Sequence, residues 1–294
     1  MRIERLTDTA ARFSGVAFDA RLVLIDSAQV FYWREAGGAF EGTAGGRHAR
    51  LVPEGNGFLL ENCRPEDEAF WTRYFDLERD YDTLFRAASA CPVAVEALEK
   101  LPGLRVLRQP PWEALVAFII SANNNVGRIR RIVRALIDDL GEGGAFPAPE
   151  ALASAGEDKL RAVGCGYRAP FLIGTARRVA DGFDLDALAA MEYRAAHEEL
   201  LALPGVGDKV ADCVQLFGLG HSMAFPVDVW MERVMRRLVP EARTKAEMRE
   251  AAFALFGDSA GLIQQSLFHC ARMGLISLDS DQAALEHADD ATGS

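Results

Sequence analysis

The stretch "LPGVGDKVAD", Leu203 to Asp212, decides how this chain is read. AAHEELLAL, which leads into it, has helical character, and Pro204 ends that helix. Gly205 and Gly207 then permit a tight turn with positive φ. DKVADCVQLFGL resumes helical period through Val210, Cys213, Val214 and Phe217. The predicted unit is a helix, a four-residue hairpin and a second helix. The first amides of that second helix have no partners within it, and the positive end of its dipole lies at the hairpin. Such an end binds a phosphate without any base contact. On these residues alone Lys209 has three readings: a solvated helix residue, a grip on phosphate, or a covalent nucleophile.

Downstream, HSMAFPVDVWMERVMRRL starts a new helix at Pro226 and Asp228, with Val229, Val234, Met235 and Leu238 as its apolar face. Asp228 stands where an N-cap belongs, and capping accounts for it without any chemistry. Upstream, Val126, Ile129, Ile132, Val133, Leu136, Ile137 and Leu140 recur at helical spacing. Arg128, Arg130, Arg131 and Arg134 fall mostly off that stripe and give the helix a basic face. GEGGAFPAPE breaks it, DKLRAVGCG makes a short helix, and RAPFLIGTARRVADGF another, with Pro170 acceptable only in its first turn. From about residue 14 to residue 63 the text is strand-like instead. ARLVLI, QVFYWRE, AFEGT, HARLV and GFLLEN are short apolar or alternating runs, the later ones separated by glycine-rich turns.

The fold class expected is therefore α+β, predominantly α. An N-terminal antiparallel sheet domain with trailing helices covers residues 1–106, a helical domain covers 107–278, and an acidic tail over 279–294 is expected to be disordered. The formal net charge of −11 argues against nucleic acid when taken as a sum, but the arginines of GRIRRIVR and MERVMRRL make local basic faces. The five cysteines form no CxxC pair, so neither a disulfide framework nor a zinc or iron–sulfur site is expected. No run of eighteen apolar residues exists, and MRIERLTDTAARF lacks the apolar core of a secretion signal. A cytoplasmic monomer is expected, nucleoid-associated in a bacterium.

LPGVGDKVAD followed by PVDV resembles the helix-hairpin-helix DNA glycosylases, and further motifs point to their 8-oxoguanine DNA glycosylase branch. PWEALVAFIISANNNVGRI is similar to that branch's asparagine-rich loop, GCGYRA to its wedge and GLIQQSLF to its base-pocket helix, over about Leu22 to Met273. The resemblance implies a bifunctional glycosylase and AP lyase acting on double-stranded DNA with a damaged base. Lys209 matches the nucleophile that attacks C1′ of the flipped-out nucleotide and forms a Schiff base. Its charged form is expected to be disfavoured beside the hairpin dipole and under DNA. Asp228 matches the carboxylate that stabilises charge on the sugar. Ala28, Cys213, Gln264 and Phe268 match base-pocket positions. Asn123 matches the residue that fills the vacated stack, Arg128 and Arg168 the pair on the orphaned cytosine, and Tyr167 the wedge. Gly205 and Gly207 match the phosphate-binding hairpin, and the carbonyls of Leu201, Leu203 and Val206 match an alkali-cation site. No other cofactor, and no iron–sulfur cluster, is implied.

The chain departs from the family at three positions. Ala28 stands where glycine is usual, Tyr32 where arginine is common, and Trp230 where eukaryotic members carry histidine. These bear on which base is excised, not on the reaction. A glycosylase for another damaged purine and a non-catalytic hairpin module are the competing readings.

Overall fold

The computed structural model describes residues 1–277, so the acidic tail lies outside the described residues. Among the described residues there are six strands: β1 (Arg2–Thr7), β2 (Ala10–Ser14), β3 (Arg34–Ala36), β4 (Ala39–Ala44), β5 (Arg47–Glu54) and β6 (Gly57–Glu61). The helices are α1 (Glu68–Tyr74), α2 (Thr83–Ala88), α3 (Pro92–Glu99), α4 (Pro111–Ser121), α5 (Val126–Leu140), α6 (Pro149–Ser154) and α7 (Glu157–Ala162). They continue with α8 (Ala169–Ala180), α9 (Leu185–Leu188), α10 (Tyr193–Leu201), α11 (Asp208–Val214), α12 (Val229–Leu238), α13 (Lys245–Phe256) and α14 (Ala260–Arg272). The α+β class with an antiparallel N-terminal sheet is as expected. Among the described residues, no helix is long and apolar enough to cross a membrane.

The chain forms two compact units: Met1–Asp80 with Pro102–Ala224, and Tyr81–Leu101 with the described residues from Phe225 on. In the first, the strands form one antiparallel sheet in the order β1-β2-β6-β5-β4-β3. Alternation puts Ala11, Phe13, Ala49, Leu51, Phe58 and Leu60 on one fully buried face. Phe13 pairs with Phe58 in register, and their rings stack at 5.1 Å. Gly42 lies flat against Trp33: a Cβ there would stand 2.5 Å from the indole. On the other face Arg12 meets Glu54 at 2.9 Å and Arg50 meets Glu61 at 2.7 Å.

The sheet departs from the sequence expectation in two places. It begins at Arg2, because the edge strand β1 has only exposed or half-exposed residues and shows no apolar alternation. ARLVLI is no strand. Leu22–Asp26 forms one wide helical turn, closed by Ser27 N donating to Leu22 O at 2.9 Å. Leu22, Val23 and Leu24 are buried in succession, and a continuous apolar run fits a buried turn as well as a buried strand. Likewise only Arg34–Ala36 of the QVFYWRE region pairs as strand, while Val30–Trp33 are buried outside the sheet.

Helix α4 has no exposed face: every residue from Glu113 to Ser121 is buried. That is the behaviour of a helix apolar on all sides. Before it, the extended segment Arg105–Gln109 is tied to the loop after Asp26 by one buried side chain, Gln29. Its Nε2 donates to Arg105 O and Ser27 Oγ, both at 2.9 Å, and its Oε1 accepts from Leu107 N at 2.8 Å. Gln109 Nε2 returns a bond to Gln29 O at 2.7 Å. Both amides thus lie in the core with their orientation set by hydrogen bonds.

In the second unit α14 is buried from Ala260 to Leu267, and Cys270 Sγ lies 3.7 Å from Ala97 O of α3. Helix α12 buries Met231, Val234 and Met235. Val229, expected on that face, is instead 62% exposed, because it is the first residue beyond the cap. None of the five cysteines is in a disulfide, and burial pushes the Cys63, Cys165 and Cys270 thiols each up to about 11.

Glu113 sits inside this core of the first unit. Its Oε1 accepts from Gly45 N at 2.8 Å, and the buried Tyr32 hydroxyl faces the same carboxyl. Burial pushes its carboxyl from 4.5 up to about 7. Between those values the folded chain keeps a proton that the unfolded chain has lost. Stability is therefore expected to fall as pH rises through that window, by about 3 kcal/mol, and then to level off. Thermal melts from pH 5 to 8 check this, and Glu113→Gln should flatten this part of the profile.

Candidate active site

The hairpin between α10 and α11 forms as the sequence suggests, with one correction. Gly205 has φ of +78°, but Gly207 has φ of −107° and ψ of 179°, which is extended backbone. A Cβ on Gly205 would lie 2.6 Å from Phe171 Cβ, whereas one on Gly207 would meet nothing within 4 Å. The tight turn is made by Gly205 and closed by Val206 N donating to Leu203 O at 3.2 Å. Gly207 caps α11 without a side-chain acceptor, so it is open on its outer side.

Lys209, in the first turn of α11, is half-buried. Its Nζ donates to Ser121 Oγ at 2.9 Å and lies 5.4 Å from the Phe118 ring centre. Phe118 stacks in turn on Phe217 at 5.1 Å. Cys213, one turn after Lys209, is buried. Behind them α10 and α11 are joined by polar groups, of which Tyr193 and His197 lie outside the sequence motifs. Tyr193 OH donates to the fully buried Asp212 at 2.6 Å. His197 stands between Asp212 at 3.3 Å and Asp208 at 3.1 Å. Asp208, an acid beside the lysine, thus has a partner on the preceding helix. The signal was the spacing of Tyr193 and His197, four apart on one face of α10.

The three asparagines after α4 have different tasks. Asn124 Nδ2 donates to Ile120 O at 3.0 Å, and Asn125 Oδ1 caps α5 by accepting from Arg128 N at 2.8 Å. Asn123 is exposed and held at φ of +50°, a conformation asparagine tolerates better than most residues. Arg168, expected to read an orphaned base, is buried. Its Nε donates to Ala122 O at 2.9 Å and its Nη2 to Asn123 O at 2.8 Å and also to Ala122 O. It braces the asparagine loop from below. Tyr167 beside it is 51% exposed, with the Arg168 guanidinium 4.4 Å from its ring centre. Arg128, Arg131 and Arg134 are exposed along α5. Arg130 is not part of that face: it donates to Ile25 O, in the turn that leads to Ala28.

Ala28 is half-buried and has φ of +58°, which disfavours any side chain. It is followed by Gln29, whose buried bonds hold the loop in that shape. In the second unit Asp228 caps α12, its Oδ1 accepting from Trp230 N at 3.0 Å and Met231 N at 2.9 Å. Gln264 is buried, and its Nε2 donates to Pro226 O at 3.1 Å, leaving Oε1 without a partner among the described residues. Phe268 is half-exposed within a stretch of α14 that is otherwise buried from Gly261 to Ala271. Among the described residues, no group of three or more His, Cys, Asp or Glu could hold a metal ion.

Residues 12–115 match the family model of the 8-oxoguanine DNA glycosylase N-terminal domain, and residues 116–256 match that of the HhH-GPD superfamily of base excision DNA repair proteins. A Methanothermobacter thermautotrophicus protein described as "Probable N-glycosylase/DNA lyase" is 32% identical over 69% of this chain and 74% of its own length. The Saccharomyces cerevisiae N-glycosylase/DNA lyase is 38% identical over 50% of this chain and 45% of its own. The Clostridium acetobutylicum 8-oxoguanine glycosylase/lyase, solved in complex with dsDNA containing cytosine opposite to 8-oxoG, superposes with a TM-score of 0.87. It is 30% identical and covers 94% of this chain and 99% of the solved one.

The chain belongs to the helix-hairpin-helix DNA glycosylases, in their 8-oxoguanine branch.

Two of the departures from that branch now have physical settings. Tyr32 is buried, its hydroxyl 3.1 Å from that of Tyr74, so an uncharged core residue takes the place of the arginine. Trp230 carries the Arg233 guanidinium 5.1 Å from its ring centre. Ala28 retains the backbone conformation that glycine adopts freely. Opposite outcomes are expected at the two left-handed positions. Ala28→Gly should stabilise by about 0.5 kcal/mol, relief of the left-handed strain outweighing the entropy of glycine. Gly205→Ala should destabilise by about 2 kcal/mol, from strain together with the approach to Phe171. Urea unfolding of the two variants checks both signs.

Proposed function

We propose that this glycosylase excises 8-oxoguanine from duplex DNA, preferring cytosine opposite the lesion, and then cleaves the strand as a lyase. The observation that carries the reading is Lys209. In a chain of this branch it stands at the hairpin with its nitrogen on a side-chain hydroxyl and no carboxylate partner among the described residues. Its amine attacks C1′ as the glycosidic bond to the flipped base breaks. Loss of the C1′–O4′ bond leaves a Schiff base, and removal of a C2′ proton then expels the 3′ phosphate. Asp228 stabilises positive charge on the sugar with a carboxylate whose Oδ1 is already fixed by two amides.

Base identity is assigned to four residues. Gln264 Oε1, which has no partner among the described residues, suits the N1–H and exocyclic N–H donors of an oxidised guanine. The carbonyl of Ala28 is assigned to the N7–H, a donor that guanine lacks. Phe268 offers the flipped base a half-exposed ring face, and Cys213 is assigned to the opposite face. On the duplex, Asn123 fills the vacated stack, Tyr167 wedges, and Arg128 and Arg168 take the orphaned cytosine. For Arg168 this requires exchanging carbonyl partners for base acceptors. Gly207, open on its outer side, lets a phosphate approach the first amides of α11. The carbonyls of Leu201 and Val206 accept no hydrogen bond among the described residues, and Leu203 O accepts one, which fits an alkali cation at the hairpin. Such an ion would neutralise those dipoles and stiffen the turn. Cytoplasmic action as a monomer without another cofactor, nucleoid-associated if the source is a bacterium, completes the proposal.

Borohydride should trap a covalent complex with an 8-oxoguanine·cytosine duplex, and Lys209→Gln should abolish both trapping and base release. Trapping on an alkylated-purine duplex but not on the 8-oxoguanine one would make the competing lesion the substrate. Asp228→Asn keeps the capping acceptor but removes the charge. It should melt within about 1 kcal/mol of wild type while base release falls about 10²-fold in single-turnover assays.

A further inference from the structure

Ser121 is the last residue of α4 and is 9% exposed. Its hydroxyl has one proton, and that proton goes to Phe118 O at 2.8 Å. The oxygen therefore faces Lys209 with lone pairs only, and across the 2.9 Å contact it is the nitrogen that donates. The Phe118 ring takes a second side of the nitrogen at 5.4 Å. Both groups belong to a helix that is buried on every face.

We infer that Ser121 is a positioning residue for the nucleophile: it holds one N–H of Lys209 and so sets the direction of the lone pair with which the amine attacks. The inference rests on the proposed role of Lys209. An ammonium has three N–H bonds and an amine two, so the bond to Ser121 survives loss of the proton. Cε fills one tetrahedral direction of the nitrogen and Ser121 another. The lone pair then occupies a direction away from α4. The side chain of lysine has four rotatable bonds, and without such an anchor its nitrogen samples many positions. Because attack is sensitive to misplacement of about 1 Å, an anchor on the nitrogen acts on rate and not on affinity.

The test uses the full-length chain with enzyme in excess over an 8-oxoguanine·cytosine duplex, and measures DNA affinity separately on a duplex with a non-cleavable abasic analogue. Ser121→Ala should lower the single-turnover excision rate about tenfold, with affinity within twofold of wild type. Ser121→Cys, similar in shape but a poor acceptor, should lose rate in the same way. Ser121→Thr, which keeps the hydroxyl, should recover most of it. A purely structural role for Ser121 would not sort these variants by their acceptor. Excision by Ser121→Ala within twofold of wild type, or a loss confined to affinity, overturns the inference. If wild type itself releases no base and traps no DNA, the proposed function fails and this inference falls with it.

Discussion

Helix α4 has nowhere else to go. Nine consecutive buried residues leave it no face for water, so the surrounding elements must close around it. Its C-terminal end then sets the geometry of the segments that meet there. Ser121 meets the lysine of α11, Ala122 O receives both Arg168 and Tyr167, and Ile120 O receives Asn124. Near its start, Glu113 accepts from the Gly45 amide of the sheet's turn between β4 and β5. One apolar helix thus links the sheet, the asparagine loop and the hairpin. The polar groups at its two ends supply direction that a purely apolar contact lacks.

The acidic net charge and the proposed DNA substrate are reconciled by how the charges are distributed. Much of the acid on the sheet is paired across strands with arginine, as between Glu54 and Arg12 or Glu61 and Arg50. Asp208 is turned to His197, and Asp212 is enclosed with Tyr193 and His197. The arginines of α5 other than Arg130 project outward. A net sum weighs all of these equally, while a phosphate backbone senses only the charges within about a Debye length.

What was legible in the sequence was local. The Gly205 turn, the Asp228 cap and the amphipathic α5 depend on neighbours within a few residues, and each is where the pattern puts it. What was not legible depends on distant partners. Arg168 reads as a surface arginine until a carbonyl 46 residues away in the chain claims it. Gln29 is an ordinary polar residue until the backbone near Arg105 arrives. ARLVLI reads as a strand but is a helical turn, because Leu22, Val23 and Leu24 are buried in succession and leave no alternation to separate the two. Nothing in the spacing of Tyr81–Leu101 announces that it packs with helices far along the chain. Lys209 and Asp228, the residues proposed for the chemistry, were visible through motifs. Ser121 was not, since a serine at a helix end has many ordinary uses.

The buried thiols have a consequence for how opening of this protein can be followed. A thiol reagent needs both access and the thiolate, and Cys63, Cys165 and Cys270 are denied both in the folded state. Cys63 follows the last strand, Cys165 directly precedes the turn that carries Tyr167, and Cys270 lies in α14. Each becomes reactive only when its own surroundings loosen. These three positions of the wild-type chain are therefore native reporters, and the rates at which they are alkylated distinguish breathing at the sheet, at the Tyr167 turn and in the C-terminal helices without any engineered label.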